Sequence, residues 1–139
     1  MQNSFTVSGW LLNDPFQRYT SGASFFIDFP LLTTVYSRAR DENIRHVLKF
    51  KAFGGKAEAF LRLVQKGQYV TVIGHMESYT VHKKGKARYY PDHVIDDFFI
   101  DKQLFVDGQP VIYDVDAMLA ELEKQDSAEK PAESEGNDA

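Results

Sequence analysis

The sequence from Gly9 to Gly22 reads Gly-Trp-Leu-Leu-Asn-Asp-Pro-Phe-Gln-Arg-Tyr-Thr-Ser-Gly. Before it, residues 5–12 alternate apolar and mostly polar side chains, which is typical of a half-buried strand. Asp14-Pro15 indicates a turn, because proline presets one backbone dihedral and aspartate can hydrogen-bond the following backbone. Gly22 then lets the chain restart as a second strand. The stretch therefore predicts two consecutive strands joined through a proline turn.

The flanking sequence predicts three more strands and one helix. Residues 23–36 form a long β-rich run, in which Pro30 indicates a bulge or an edge position. Residues 45–53 form a third strand, residues 56–66 carry the one-sided apolar stripe of a helix, and residues 69–79 and 88–100 form two further strands. This order predicts an all-β fold: a five-stranded antiparallel Greek-key OB-fold barrel with its helix between strands three and four.

The chain changes character after residue 102. Residues 104–113 suggest a hairpin around Asp107-Gly108, whose second strand Pro110 weakens. Residues 114–124 have apolar side chains at helical spacing, with Asp114 or Asp116 as a possible N-cap. Residues 127–139 are polar and acidic, and we predict that they are disordered. The predicted organisation is an OB-fold domain at 1–102, a hairpin and short helix at 103–125, and a disordered acidic tail at 126–139.

The composition excludes several classes of protein. A chain of 139 residues with 43% hydrophobic residues can form one packed domain. The absence of cysteine excludes a disulfide framework, a cysteine zinc site and thiol catalysis. No apolar stretch is long enough for a membrane span, and the N-terminus lacks the features of a signal peptide. We therefore expect a soluble, cytoplasmic protein.

The charge is unevenly distributed along the chain. Residues 1–102 carry a net charge of +4 and residues 103–139 a net charge of −8, which gives the overall −4. A basic body with an acidic tail is typical of a nucleic-acid-binding protein. Ordinary fluctuation of charge along a sequence is the alternative explanation.

Several motifs resemble the bacterial single-stranded DNA-binding (SSB) proteins over roughly residues 3–100. The pattern Gly-x-Leu-x-x-Asp-Pro-x-x-Arg-Tyr-Thr, which begins at Gly9, resembles the first two strands of that family. Phe53-Gly54 with Lys56, the helix end Lys66-Gly67, and Val72-x-Gly74 resemble later family motifs. The resemblance implies an OB fold, a single-stranded DNA ligand, and assembly into homotetramers or dimers. It also implies that Phe53 stacks on a base.

The sequence also departs from the family pattern. The turn after Tyr19 is one residue shorter, two extra residues lie around Phe53-Gly54-Gly55, and Val47 and Leu48 stand where the family often has an aromatic residue and a histidine. Family tails usually end in an acidic tip with a terminal Pro-Phe, whereas this chain ends Ser-Glu-Gly-Asn-Asp-Ala. The chain is therefore interpreted as a divergent member whose partner proteins the sequence does not identify.

Four aromatic residues are candidates for base stacking, an interaction that contributes about 1–3 kcal/mol per base with any sequence. Phe53 shares one face of its strand with two lysines, although it could instead pack under the following helix. Trp10 lies on the polar face of the first strand and could contact a base or a subunit interface. Tyr36 and Tyr79 lie near strand ends, where ligand-binding loops begin.

Nine basic residues are candidates for phosphate contacts. Two come from the third strand, four from the loop between the last two strands, and three flank the charged loop near residue 40: Lys49, Lys51, Lys83, Lys84, Lys86, Arg88, Arg38, Arg40 and Arg45. In OB folds the loop between strands four and five commonly embraces the ligand. A solvated hairpin tip is the alternative for that loop.

These features predict sequence-independent binding and protection of single-stranded DNA in replication, recombination or repair. No metal, cofactor or catalytic motif is recognisable, so we do not expect an enzyme. An OB-fold adaptor that binds proteins, such as a primosome or mobile-element component, is one alternative. Binding of single-stranded RNA is another, because stacking grooves do not by themselves distinguish the two nucleic acids.

Overall fold

The computed structural model describes residues 3–101, 105–107, 109–110 and 112–129. The elements in chain order are β1 (Phe5–Leu11), β2 (Phe16–Tyr19), β3 (Phe25–Ser37), β4 (Glu42–Phe53), α1 (Gly54–Leu63), β5 (Tyr69–Lys83), β6 (Lys86–Ile100), β7 (Phe105–Val106), β8 (Gln109–Pro110) and α2 (Val115–Glu129). The predicted all-β class and the helix between the third and fourth long strands are confirmed. No described helix is long and apolar enough to cross a lipid bilayer.

The main sheet closes on itself through β1. Its strand order is β1-β5-β6-β4-β3-β2, and β1 also pairs with β3, so that β1, β5, β6, β4 and β3 form a ring. The closing pairs are Trp10 with Leu32 and Leu11 with Leu31. All pairings are antiparallel except a single parallel pair between β4 and β6, Lys51 with Val94.

The short strand β2 is absent from the predicted element order. Residues after the proline turn were expected to lead directly into the next long strand, but Phe16–Tyr19 pairs with residues 25–28 of β3. Its side chains are exposed, so no burial pattern marks it in the sequence. The formation of β2 therefore depends on its pairing with β3 and not on a hydrophobic periodicity of its own.

Pro30 lies where β3 changes neighbours. The last pair with β2 is at Asp28 and the first with β1 is at Leu31, while Pro30 pairs with Lys49 on the other side. The Pro30 carbonyl points toward β1 and β2, where it accepts a hydrogen bond from Leu12 N at 3.1 Å. Because Pro30 lies between the two ladders on that side, its missing N–H interrupts neither of them. The predicted edge character is present locally, but the register shows no bulge at this position.

Alternating side chains of the ring strands form the core, which α1 closes. Ile27, Phe29 and Leu31 of β3 are buried together with Phe50 of β4. Phe60 of α1 stacks on Phe29 with ring centroids 4.2 Å apart. α1 begins at Gly54 and ends at Leu63, about one turn earlier than the predicted 56–66, because the two glycines start the helix instead of preceding it.

β5 and β6 extend beyond the ring as a two-stranded arm. Their ladder continues to Lys83–Lys86, so both strands are longer than predicted. A bulge between Ile73 and Gly74 leaves Asp96 unpaired at the base of the arm. Gly74 is required there, since a Cβ would lie 2.0 Å from the Val94 carbonyl oxygen.

The C-terminal extension packs on the outside of the ring. β7 and β8 form a hairpin at the place predicted, with Gln109–Pro110 as its second strand. α2 is capped by Asp114, whose carboxylate accepts the Ala117 N–H at 3.1 Å. Val115 and Leu122 of α2 are buried against Leu12 and Leu32.

α2 is also longer than the predicted helix at 114–124. It continues to Glu129, so the first residues of the segment predicted to be disordered are helical. Glutamine, alanine and glutamate in residues 125–129 favour helix, which outweighs the lack of large apolar side chains. Residues 130–139 of the predicted tail lie outside the described residues.

Candidate nucleic-acid interface

The outward side chains of β3 and β4 form the floor of an open groove. Register places Phe26 opposite Phe53, Asp28 opposite Lys51, and Pro30 opposite Lys49. The groove has a volume of about 670 Å³, and β2, the base of the arm and Leu119 of α2 supply its walls. The strand ladder thus brings predicted residues of β4 together with residues far away in sequence.

Two aromatic pairs face each other across Lys51. Phe26 and Phe53 are stacked with centroids 5.2 Å apart, and Tyr79 and Tyr90 are stacked at 5.5 Å. The Lys51 Nζ lies 5.5 Å from the Phe26 ring centroid and 5.4 Å from that of Tyr79. Phe53 is 40% exposed and Tyr79 46% exposed, so both present ring surface to solvent. Phe53 does not pack under α1, which was the alternative to stacking.

Carboxylates pair with several cations of the groove. Lys51 Nζ lies 3.0 Å from Asp92 Oδ1, and Arg18 pairs with Asp28 while lying 5.7 Å from the Phe16 ring centroid. Lys49 is exposed and has no ion-pair partner among the described residues. The groove thus combines aromatic surface, a free lysine and cations that are already partly neutralised.

The arm continues the same face with basic side chains. Because side chains alternate along a strand, Tyr79, Val81 and Lys83 share one face, and their ladder partners are Tyr90, Arg88 and Lys86. Lys84 and Gly85 form the turn with positive φ values of 52° and 76°. Four predicted phosphate contacts, Lys83, Lys84, Lys86 and Arg88, therefore lie at the end of the arm.

Three predicted residues lie at the tip of the β3–β4 hairpin. Tyr36 is exposed and donates its hydroxyl to Asp41, a hydrogen bond that raises the pKa of the tyrosine. Arg38 and Arg40 are exposed in the turn, where the Arg40 N–H donates to Ser37 Oγ at 3.4 Å. None of the three lines the groove.

Trp10 and Arg45, which were predicted to contact DNA, lie against the C-terminal extension and line no part of the groove. Trp10 packs edge-on against Tyr69 and Tyr113, at 4.9 Å and 5.6 Å, beside Met118 and Leu119. Its indole N–H is buried and has no hydrogen-bond partner among the described residues. Arg45 Nη1 lies 3.3 Å from Glu121 and 3.5 Å from the Met118 carbonyl oxygen. α2 thus covers these two residues by apolar packing at Trp10 and by an ion pair at Arg45.

Sequence reasoning missed four residues that line the groove, Phe16, Arg18, Asp28 and Asp92, and two aromatic residues beside it, Phe26 and Tyr90. Arg18 belongs to the opening motif, but its side chain was not placed in a site. Phe26 alternates with buried Ile27, which indicates an outward position, yet its pairing with Phe53 depends on the β3–β4 register. Asp92 gives no sequence signal, because an acidic residue is not expected in a phosphate-binding groove.

No group of three or more side chains suited to hold a metal ion comes together in the described part of the chain. The residues brought together instead provide flat apolar rings, ammonium and guanidinium groups, and an open surface. Such a surface can hold a flexible polyanion that carries stacking rings.

Comparisons with known proteins agree with this geometry. Residues 2–100 match the Single-strand binding protein family. No curated protein sequence matches the chain. The fold is similar to that of the small single-stranded DNA-binding protein from Streptomyces coelicolor, with a TM-score of 0.53 and 19% identity over 74% of this chain and 98% of that chain.

A second similar structure is the wild-type single-stranded DNA binding protein from Thermus aquaticus. The TM-score is 0.61 and the identity 21%, over 72% of this chain and 50% of that chain. This chain therefore matches about half the length of the Thermus protein. The extension that carries α2 lies beyond the family match.

Proposed function

The chain belongs to the single-strand binding protein family, and on that premise we propose that its groove binds single-stranded DNA by base stacking and contacts to phosphates. The two aromatic pairs that flank Lys51 carry the proposal. Every base has a flat π-surface, so rings that offer stacking accept any sequence. The cellular role is binding and protection of single strands during replication, recombination or repair.

The polynucleotide path that we propose crosses Phe53, passes Lys49 and Tyr79, and continues onto the basic end of the arm. Tyr79 and Lys49 line the groove, the exposed Phe53 ring lies beside it, and the arm adds charge on the same face. Lys49 has no ion-pair partner among the described residues. Phosphate contacts position the strand without reading sequence, which suits general protection of single strands.

Two alternative functions can be distinguished from binding of single-stranded DNA by one set of titrations. The docked α2 helix, which lies beyond the family match, favours the alternative of an OB-fold adaptor that binds proteins instead of nucleic acid. Single-stranded RNA could also stack in the groove. Fluorescence or anisotropy titrations with homopolymer DNA and RNA of equal length separate these ligands, and an adaptor would bind neither.

We also propose that the protein is a homo-oligomer with a non-enzymatic role in the cytoplasm. β1 pairs with β3 only at Trp10 and Leu11, and Ser8 O accepts a hydrogen bond from Thr33 of β3. Phe5 to Val7 therefore leave one strand edge without a ladder partner among the described strands. An exposed strand edge can pair with another chain. Sedimentation equilibrium would distinguish a tetramer or dimer from a monomer.

Alanine variants test the aromatic groove directly. Phe53→Ala and Tyr79→Ala should each weaken oligo-dT binding by about 1–3 kcal/mol, because each removes a stacking surface. Tyr89→Ala is the matched control, since Tyr89 is 72% exposed but lies on the opposite face of the arm from Tyr90. Equal losses for Tyr79→Ala and Tyr89→Ala would contradict the groove, and an unfolded Phe53→Ala variant would assign Phe53 to the core.

A further inference from the structure

Neighbouring outward lysines of β4 have different surroundings. Lys49 is exposed, with no ion-pair partner among the described residues. Lys51 lies two residues further along the same strand face, and its side chain is 27% exposed. The two lysines therefore have the same position relative to the sheet but different access to a ligand.

Asp92, at the base of the arm in β6, forms an ion pair with Lys51. The Lys51 Nζ lies 3.0 Å from Asp92 Oδ1 and 3.1 Å from Oδ2, and the Asp92 side chain is 19% exposed. The partial burial of both groups makes this pair less sensitive to salt than a fully exposed one. The carboxylate thus occupies the direction in which a phosphate would otherwise approach the ammonium group.

The same contact directs Lys51 toward the two aromatic pairs. Its Nζ is within cation–π range of both Phe26 and Tyr79, which belong to different strands. Without Asp92, the flexible lysine could extend toward solvent and leave both rings. The ion pair therefore determines where the positive charge of Lys51 lies in the groove.

We infer that Asp92 is a positioning residue that keeps Lys51 between Phe26 and Tyr79, so that Lys51 supports base stacking and makes no phosphate contact. This inference rests on the proposed binding of single strands. Lys49 and the basic residues at the end of the arm then make the phosphate contacts. The salt dependence of binding is accordingly weaker than the number of groove cations would suggest.

Salt titrations of the full chain with oligo-dT test the role of Asp92. Asp92→Asn removes the carboxylate with little change of shape, and should steepen the log–log salt slope by about 0.7, the value for one added phosphate contact on single strands. Affinity at low salt should rise severalfold. Asp92→Glu, which can restore the ion pair, should return the slope to that of the parent.

Asp97→Asn is the matched control. Asp97 also pairs with a lysine, at 3.1 Å from Lys56 Nζ, and lines no part of the groove. This variant changes the net charge equally and breaks a similar bond, so its slope should equal that of the parent. Equal slopes for Asp92→Asn and Asp97→Asn would overturn the inference.

Lysine variants test the inference without altering Asp92. Lys49→Gln should flatten the slope by about 0.7 and Lys51→Gln should leave it unchanged while weakening affinity, because only the former removes a phosphate contact. A flattened slope for Lys51→Gln would overturn the assignment of Lys51. A parent that binds no oligo-dT would instead contradict the proposed function.

Discussion

Single residues of this protein take their roles from the partner opposite them in the sheet. Lys51 and Lys49 are equivalent by strand periodicity, yet Asp92 engages only Lys51. Similarly, Phe26 and Phe53 are both aromatic residues beside apolar neighbours, and their cross-strand pairing makes them a stacking surface. The chemistry of a residue in the groove thus depends on interstrand register as much as on residue type.

His75 provides a residue-scale prediction about pH. It lies between two carboxylates, 3.0 Å from Asp96 and 2.6 Å from Glu77, and hydrogen bonds to Asp96 and then to Glu77 raise its pKa. A raised pKa in the folded state means that the folded protein binds the proton more tightly than the unfolded chain does. The resulting stability is fully present below the unfolded pKa of about 6.5 and is lost as pH rises through the folded pKa.

Urea unfolding at several pH values measures this effect. The difference in unfolding free energy between the parent and His75→Gln should be larger at pH 5.5 than at pH 9, because the stabilisation is lost as pH rises through the folded pKa. His82→Gln is a control, because His82 is exposed in the arm. A difference between the parent and His75→Gln that does not change with pH would contradict the role of the carboxylates.

At the scale of elements, the arm and α2 act on opposite ends of the groove. The arm presents Lys83, Lys86 and Arg88 on the face of Tyr79 and Tyr90. α2 instead covers Trp10 and Leu32 and contributes Leu119 to the groove wall. On α2, Asp116 pairs with Lys66 and Glu121 pairs with Arg45, whereas the arm adds basic side chains to the face of the groove.

The arm prediction concerns the salt dependence of binding. Changing Lys83, Lys84 and Lys86 together to alanine should flatten the log–log slope by up to roughly two units, at about 0.7 per lost phosphate contact. Affinity should fall similarly for all base compositions, because phosphates carry no sequence information. Replacing Arg62 and Lys124, which lie on the two helices and line no part of the groove, should change the slope little. An unchanged slope in the triple variant would show that the basic turn lies in solvent and makes no phosphate contacts.

The α2 prediction concerns the environment of Trp10. Leu122 is buried against the ring, so Leu122→Ala should weaken docking of α2 by about 2 kcal/mol or more. Water would then reach the indole of the single tryptophan, and its emission should shift to longer wavelength. Leu63→Ala, at an exposed position of α1, should leave the emission unchanged. An unshifted spectrum for Leu122→Ala would mean that α2 does not cover Trp10 in solution.

At the scale of the whole molecule, a close backbone approach closes the ring of strands. A Cβ on Gly9 would lie 2.5 Å from the Leu32 carbonyl oxygen, beside the pairs that join β1 to β3. Gly9→Ala should therefore destabilise the fold by about 1–3 kcal/mol through overpacking. Gly22→Ala is the control, since its nearest neighbour is Thr20 Oγ1 at 3.8 Å. Similar melting temperatures for both variants would contradict the closure at Gly9.

The amino-acid sequence alone determined the all-β class, the order of the five long strands and the helix after Phe53. It also supplied the candidate stacking and phosphate-binding residues of β4 and the arm, whose roles stay predictions. These features follow from periodicities and turn residues that are read within about a dozen neighbouring positions. The family motifs added the identity of the fold, because they lie in the turns and strand ends that an OB fold requires.

Tertiary structure decided which of these residues lie at the groove and which lie against other elements of the chain. Trp10 and Arg45 have suitable chemistry but lie against α2, more than 70 residues later in the chain, as the 76-residue separation of Arg45 and Glu121 illustrates. Lys51 meets Asp92 across 41 residues. Such contacts depend on strand register and on helix docking, which are set by the packing of the whole core and have no signal in local sequence.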